Sequence, residues 1–467
     1  MSKINSIAWI LQCILPLFTK KRRIATTYGS SKVYKYYKFL KKTEKFTKSE
    51  LIKLQEHKMK NLLIHAYNNV PYYHDLLNKN KLKPKDFQSL SDLQKIPILT
   101  KEIIQNKSEQ LIINAKNRKH YKYQTAQTGG STGKPLTFHR DLNDNYISWA
   151  AYLRAMQWID YNWGDRTYKL WGAPVINEST KKSIGKKIEE NIIKNVRNEI
   201  IIDAFKLNDS DLKQFTNQLL CDKNYYIRGY VNAINQFADY LKNKNILLKP
   251  KGVITTAEML LPTIKKNIIE SFSCDVFDNY GCGETLSLAY ECKQHNGLHV
   301  NDEHVILEFV KDLTNPMSSE KGEIVITNLD NFYMPFIRYA NGDTGSKQIS
   351  SCTCGLAHSK IASIQGRTSD LIKGLNGNMV HGEFFTHLLE ETGFAQKYGI
   401  KDFEVVQETI TILQWKIVAN TRMGYEEIML INNKVKEYLG NMENKFEYVN
   451  NIALTKSGKR RFTRTLL

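Results

Sequence analysis

Short apolar runs alternate with helical periodicities between residues 209 and 280, and this alternation constrains the fold more than any other feature of the chain. Residues 209–219 and 230–241 show helical spacing. Between them Tyr225-Tyr226-Ile227-Arg228-Gly229-Tyr230 reads as a strand leading into a helix. Residues 251–256 read as a second strand, 260–270 as a helix, and 275–280 as a third strand ending at Gly281. Such alternation predicts an α/β sheet, in which ligands bind at the carboxyl ends of strands. Further strands are expected at 304–310 and 323–328. Residues 48–68 place Leu51, Leu54, Met59, Leu62, Leu63 and Ala66 near helical spacing. Pro71 is expected to end that helix and to leave Tyr72 and Tyr73 packing at a helix–loop junction. After Gly366 the texture changes. Strand-like runs at 403–406 and 411–418 and a helix near 424–438 predict a small α+β domain.

With 467 residues the chain exceeds one core and should divide into two to four domains or subdomains; its 42% apolar content excludes a disordered chain. The formal charge of +20 makes nucleic acid the first partner to weigh. The lysines, however, are spread along the whole chain among Asn and Ile, with no zinc-finger spacing and no RNA-binding aromatic pair. The reading is therefore no nucleic acid, and an anionic substrate or the inner face of a membrane instead. Seven cysteines are too few for a disulfide framework, and five of them fall between Cys274 and Cys354, which points to a local site. Residues 7–18 are apolar apart from Gln12 and precede Lys20-Lys21-Arg22-Arg23. That run is too short for a bilayer span of about 20 residues, and its basic cluster is on the wrong side for a signal peptide. Two readings stay open: a buried first helix, and a monotopic anchor with Trp9 at the interface. The expected location is the cytoplasm, at the inner face of the membrane under the second reading.

Thr128-Gly129-Gly130-Ser131-Thr132-Gly133-Lys134-Pro135 concentrates glycines, hydroxyls and a lysine. Successive glycines let backbone N–H groups converge on an anion, and hydroxyls and an ammonium complete a polyphosphate cradle. The segment departs from the GxxxxGK[ST] loop. Its first glycine sits at the wrong distance, and Pro135 stands where a metal-binding hydroxyl is required. The residues alone leave a phosphate loop and a solvated turn as the two readings. Leu136-Thr137-Phe138 then reads as a short strand. Asp141 is placed to cap a helix carrying Tyr146, Trp149, Ala150, Leu153 and Met156.

Four more segments carry chemistry: Tyr280-Gly281-Cys282-Gly283-Glu284, Arg338-Tyr339-Ala340-Asn341-Gly342-Asp343, Gly366-Arg367-Thr368-Ser369-Asp370, and Thr455-Lys456-Ser457-Gly458-Lys459-Arg460-Arg461-Phe462. In order and spacing, together with the glycine-rich loop, they resemble the motifs of adenylate-forming ligases. The resemblance is specifically to the phenylacetate–CoA ligase branch, which includes the coenzyme F390 synthetases and the CapK-type proteins of capsule and O-antigen loci. It spans roughly residues 50–467. It implies an α/β fold, with a large multi-subdomain N-terminal domain and a small α+β C-terminal domain on a hinge. The bounds expected from it are 48–369 for the ATP- and acid-binding domain and 370–467 for a mobile domain carrying the catalytic lysine; residues 1–47 read from their composition as a basic and apolar extension, membrane-associated under the second reading above.

The resemblance also implies roles. Thr128, Gly129, Gly130, Ser131, Thr132 and Gly133 would hold the ATP phosphates, with Lys134 adding charge. Tyr280 is expected against the adenine beside Gly281, and Glu284 is expected to help hold Mg²⁺. Asp343 is expected on the ribose hydroxyls, Arg367 at the same ribose or the α-phosphate, and Asp370 at the hinge. Lys459 is the expected catalytic lysine, stabilising charge that grows on the α-phosphate. Lys456, Arg460 and Arg461 sit beside it. The family's acid pocket falls on residues near 228–230 and 255–258. The substrate candidates are thus Tyr226, Arg228, Thr256, Ala257 and Glu258, with Trp171 as an aromatic platform. They suit a sugar or other polar acid at least as well as a bare aromatic ring.

The implied reaction joins a carboxylate to ATP, releases pyrophosphate and passes the acyl group from its adenylate to an acceptor. The leading reading is amide formation in capsule or O-antigen polysaccharide biosynthesis. The substrate would be a small carboxylic acid or carboxylated sugar, and the acceptor an amine, such as an amino acid or amino sugar. The alternatives are an aryl-acid–CoA ligase, with CoA as acceptor, and a non-catalytic nucleotide-binding protein. Cys292, His299, Cys352 and Cys354 offer three thiols and one imidazole, a closed tetrahedral zinc set if the two halves meet in the fold. His295 competes with His299, and the C-x-C spacing is tighter than the usual C-x₂-C. Structural zinc, free buried thiols and redox chemistry remain the readings. A closed ligand set has no catalytic task.

Overall fold

The computed structural model describes residues 30–127, 136–162, 164–172, 197–204, 207–313, 317–365, 372–380, 382–452 and 463–467. Residues 7–18, Thr128, Gly129, Gly130, Ser131, Thr132, Gly133, Lys134, Arg367, Asp370 and Lys459 lie outside the described residues. A large mixed α/β N-terminal domain precedes a smaller α+β C-terminal domain. The contacts of the chain gather into two compact units. Of the described residues, one takes in those within 30–127, 136–162 and 277–365; the other takes in those within 164–276 and 372–467.

In the first unit the helix Lys48–Asn69 starts at a capping box. The Thr47 hydroxyl accepts from the Glu50 N–H at 3.3 Å, and the Glu50 carboxylate accepts from the Thr47 N–H at 2.7 Å. Its buried face carries Leu51, Met59, Leu62, Leu63 and Ala66. Each large aliphatic side chain there contributes about 1.5–3 kcal/mol by leaving water. Pro71 does end this helix, but the segment it opens is a second helix, Pro71–Lys79, and not a loop. The reason is positional. Pro71 occupies the first turn, where no N–H is needed, and its fixed φ suits a helix start. Tyr72 and Tyr73 are therefore buried helical residues, and the Tyr73 hydroxyl donates to the Pro335 carbonyl at 2.8 Å.

The same unit holds a run of antiparallel strands in the order Val305–Val310, Lys321–Asn328, Tyr339–Lys347, Lys360–Gln365, Leu298–Val300, Leu286–Glu291 and Val276–Cys282. A separate hairpin pairs Tyr123–Gln127 with Thr137–Asp141. The helix Leu142–Gln157 comes next, and the Asp141 carboxylate caps it by accepting from the Asn143 N–H at 2.8 Å. Phe87, Ile104, Phe138, Phe336 and Tyr339 belong to the core that the Lys48–Asn69 helix covers.

In the second unit Gly252–Thr256, Tyr225–Tyr230, Arg166–Trp171 and Glu199–Asp203 lie side by side, all parallel. Helices Asp209–Leu220, Val231–Asn243 and Pro262–Phe272 alternate with these strands, as the sequence pattern predicts. Close strand approach explains Gly229, because a Cβ there would lie 2.5 Å from the Leu170 carbonyl oxygen. The C-terminal segment forms a four-stranded sheet in the order Glu443–Tyr448, Ile412–Ala419, Ile400–Thr409 and Thr463–Thr465. Its central pair is antiparallel and its outer pairs are parallel. Trp415, Ile417, Ile431 and Leu439 fill its core. Among the described residues no helix is long and apolar enough to cross a membrane.

Candidate active site

The first unit brings two of the sequence motifs together. The strand Val276–Cys282 pairs with Leu286–Glu291, and its register shifts between Tyr280 and Gly281. This bulge needs glycine: a Cβ on Gly281 would sit 2.2 Å from the Leu286 carbonyl oxygen. The Tyr280 hydroxyl donates to Asp343 Oδ2 at 3.0 Å. Asn341 Nδ2 donates to both, at 2.8 Å to the phenol and 2.9 Å to the carboxylate. The Asp343 N–H donates back to Asn341 Oδ1 at 3.1 Å. Burial, and then the Asp343 charge, hold the Tyr280 phenol well above its usual range, so it stays a donor.

Glu284 is 6% exposed and accepts from the Tyr339 hydroxyl at 2.6 Å. A carboxylate held this way keeps lone pairs for a hard cation. Its neighbour Cys282 lies 3.1 Å from the Thr285 hydroxyl, and burial followed by the Glu284 charge pushes its thiol up. Tyr339 and Asn341 hold Glu284, Tyr280 and Asp343 by hydrogen bonds, and motif reading gave neither a role although both stand inside the Arg338–Asp343 stretch. Arg338, at the head of that stretch, is a structural anchor. It is fully buried, grips Glu308 with two bonds of 3.0 Å and donates to the Ile96 carbonyl at 2.7 Å.

The second unit assembles the substrate candidates at neighbouring strands. Arg228 lies opposite Lys169 and Ile254 in the sheet, and Tyr230 opposite Thr256. The Arg228 guanidinium is 5.7 Å from the Trp171 ring centroid, and the Lys169 ammonium 5.1 Å. The rings of Trp171 and Tyr230 are 4.9 Å apart. Lys169 also faces Glu199 at 3.5 Å, and burial lowers its pKa. Tyr226 is buried, with the Lys251 ammonium 5.8 Å from its ring. Ala257 takes a left-handed backbone (φ 68°) just past the strand end. Glu258 Oε2 accepts from the Asn232 N–H at 2.7 Å, which ties this turn to the start of the helix Val231–Asn243. Lys169 belongs to the cluster and was not singled out from sequence. Its signal was the period-two spacing with Trp171.

Cys292, His299, Cys352 and Cys354 meet in the first unit, with their ligand atoms all within 4.8 Å of one another. Cys292 and Cys352 Sγ are 3.7 Å apart, and Cys354 Sγ is 3.3 Å from His299 Nε2. A tetrahedral zinc with Zn–S bonds near 2.3 Å sets its sulfurs about 3.8 Å apart, so the donors fit such an ion in type and spacing. Burial lowers the His299 pKa to about 3, which leaves a neutral imidazole. His295 is not part of the set: its Nδ1 lies 2.9 Å from Glu291 Oε1 and its ring stacks on Phe277.

Comparison with known proteins points the same way. Residues 372–465 match the family model of the CapK C-terminal domain. Protein CapK of Staphylococcus aureus is 23% identical over 433 residues, which cover 91% of each chain. A phenylacetate–coenzyme A ligase of Thermus thermophilus is 24% identical over 355 residues, 71% of this chain and 74% of the relative. Among solved structures, a 2-hydroxyisobutyryl-CoA ligase in complex with its acyl-adenylate and CoA superimposes with a TM-score of 0.59 at 18% identity, covering 91% of each chain. That likeness is one of fold.

Proposed function

We propose the reaction from one premise: the chain belongs to the adenylate-forming ligase superfamily, related to its CapK and phenylacetate–CoA ligase branches. It is an ATP-dependent, AMP-forming carboxylate ligase. A carboxylate oxygen attacks the α-phosphorus, the bond to the pyrophosphate breaks, and an acyl-adenylate forms. The observation that carries this reading is the meeting of Tyr280, Asn341 and Asp343 in one hydrogen-bonded group, with Glu284 held by Tyr339 in the same unit. Asp343 would accept from the ribose hydroxyls and Tyr280 would face the adenine. Glu284 would hold Mg²⁺, which when bound offsets the repulsion between carboxylate and phosphate. Thr128, Gly129, Gly130, Ser131, Thr132, Gly133 and Lys134 would cradle the phosphates. Arg367 would reach the ribose or α-phosphate, Asp370 would serve as the hinge, and Lys459 would stabilise the charge growing on the α-phosphate. Trp171, Tyr226, Arg228, Thr256, Ala257 and Glu258 would form the acid pocket.

The second step is read as thioester formation with coenzyme A. Relatives named for a reaction are phenylacetate–coenzyme A ligases. The thiol displaces AMP from the acyl carbon. Transfer to an amine in capsule or O-antigen building is the second reading. It is favoured by the alignment with CapK along almost the whole of both chains and by the CapK-type C-terminal domain. Under that reading the basic N-terminal stretch would meet the inner face of the membrane. Cys292, His299, Cys352 and Cys354 would hold one structural zinc, tying the turn after Glu291 to the turn before Lys360, and a closed set of four ligands gives it no part in the chemistry.

The test is pyrophosphate release from Mg·ATP with a panel of aryl, small aliphatic and uronic acids. Coenzyme A, amino acids or amino sugars are then added and the products weighed. A thioester with coenzyme A supports the first reading and an amide the second. Absence of pyrophosphate with every acid would overturn both.

A further inference from the structure

The first 43 residues contain ten Lys and Arg and no Asp or Glu, and so hold half of the formal charge of +20. Lysines are spread along the chain, but the acids that balance them elsewhere begin only at Glu44. The helix Ser31–Thr43 shows where part of this charge goes. Val33, Tyr37, Leu40 and Thr43 form its buried face. On the opposite face Lys35, Lys38 and Lys42 recur at helical spacing, all exposed, and Lys45 continues the line in the turn that follows. Among the described residues the side chains of these four form no hydrogen bond or ion pair; the Lys38 ammonium lies 6.0 Å from the ring centroid of half-buried Tyr34. The helix is fastened to the first unit along its length. Lys32 Nζ donates to Asn143 Oδ1 at 3.2 Å, the Tyr37 hydroxyl to Gln157 Oε1 at 2.7 Å, and the Thr43 hydroxyl to Glu303 Oε1 at 2.5 Å. Just past its end Trp158 Nε1 donates to Glu44 Oε1 at 2.9 Å. The row of ammonium groups is thus a fixed surface of the folded unit.

Like charges three and four apart on a helix repel one another, so the row costs stability where it stands. A plane of anions in front of it reverses that sign. The preceding sequence selects among anions. Residues 7–18 are apolar apart from Gln12 and run into Lys20-Lys21-Arg22-Arg23. An apolar run beside basic residues suits the boundary between headgroups and acyl chains of a bilayer, and offers nothing to a phosphodiester backbone. We propose that the outer face of the helix Ser31–Thr43, with Lys35, Lys38, Lys42 and Lys45, docks the first unit on a bilayer of anionic phospholipid. This contact deepens the membrane contact of the second reading above, and rests on that reading only for which membrane is met.

The experiment measures sedimentation of the full chain with vesicles of phosphatidylcholine alone and of phosphatidylcholine mixed equally with phosphatidylglycerol. The native chain should bind the mixed vesicles alone and leave them as salt rises from about 0.1 M to about 1 M, because exposed charges are screened. A basic residue near an anionic bilayer is worth about fivefold in binding, so Lys35→Gln, Lys38→Gln and Lys42→Gln together should weaken it about a hundredfold. The matched change at Lys213, Lys223 and Lys249, exposed lysines of the second unit, should leave it within about threefold. Equal loss in the two triple variants overturns the proposal, as does full binding by the Lys35, Lys38 and Lys42 variant. Where that variant does not fold, the native chain carries the test: equal binding to both kinds of vesicle, or binding indifferent to salt, overturns the proposal. Loss of duplex-DNA binding with vesicle binding intact would assign the row to nucleic acid and overturn it too. The assay holds no acid, nucleotide or coenzyme A, so its result is independent of whether the reaction above yields an amide or a thioester.

Discussion

Replacing Arg154 by Met should destabilise the first unit severely, and a second change should repair much of the damage. Arg154 and Glu303 are both fully buried. Arg154 donates to Glu303 Oε1 at 2.5 Å and to Asn301 Oδ1 at 2.8 Å, and its guanidinium lies 5.3 Å from the Trp158 ring. Glu303 Oε1 also accepts from the Thr43 hydroxyl at 2.5 Å and lies 3.0 Å from His358 Nε2. Burial by itself would raise the Glu303 pKa, but Arg154 and then His358 hold it well below the usual carboxylate range. Arg154→Met keeps most of the side-chain volume and strands that carboxylate. Removing one partner of a buried pair costs about 3–5 kcal/mol. Adding Glu303→Gln removes the stranded charge, so the double variant should recover roughly half or more of that loss. Urea unfolding followed by tryptophan fluorescence measures both, because Trp158 packs on Arg154. The reasoning fails if Arg154→Met costs under about 1 kcal/mol. It fails equally if Glu303→Gln adds to the damage instead of relieving it.

Three further outcomes are expected. Freshly purified chain should carry about one zinc, the count a closed four-ligand set demands, and Cys352→Ser or Cys354→Ser should lose it on metal analysis together with thermal stability; a metal-free chain of undiminished stability would remove the centre. Tyr339→Phe deletes one oxygen and the 2.6 Å bond to Glu284. It should shift the Mg²⁺ concentration for half-maximal pyrophosphate release by about tenfold, the scale of a bond to a charged group, and an unchanged Mg²⁺ titration would refute the role. The depressed Glu303 pKa contributes stability that is complete above its unfolded value of 4.5 and is lost as pH falls through the lower folded value. The stability gap between native chain and Glu303→Gln should therefore narrow below about pH 4.5 and stay flat above it, read from urea midpoints across pH.

The features legible in the chain alone were the local ones. Strands 225–230, 251–256 and 275–280 stood out because apolar runs are bounded by turn residues and separated by helical spacing. The structure has them at Tyr225–Tyr230, Gly252–Thr256 and Val276–Cys282. Tyr280, Glu284 and Asp343 were singled out through the motif stretches that carry the family resemblance, and the structure sets the Tyr280 hydroxyl on Asp343. Partners chosen by tertiary contact were not legible. Nothing near Arg154 announces Glu303 or His358, which reach it from 149 and 204 residues away. The choice between His295 and His299 shows the boundary most clearly. Both stand within a few residues of Cys292, and spacing cannot separate them. The sheet does. His299 lies on Leu298–Val300, where Lys360 pairs with it, so the strand that comes after the Cys352–Cys354 turn carries those thiols to its ring. His295 takes a left-handed turn (φ 49°) and its ring goes to Phe277.

The same contrast separates two charged residues of one motif stretch. Arg338 and Asp343 belong to one conspicuous stretch, yet Arg338 is spent on Glu308 and the Ile96 carbonyl inside the core, while Asp343 faces Tyr280 from a partly exposed position. An ionised group whose hydrogen bonds are all satisfied within the fold is serving the fold.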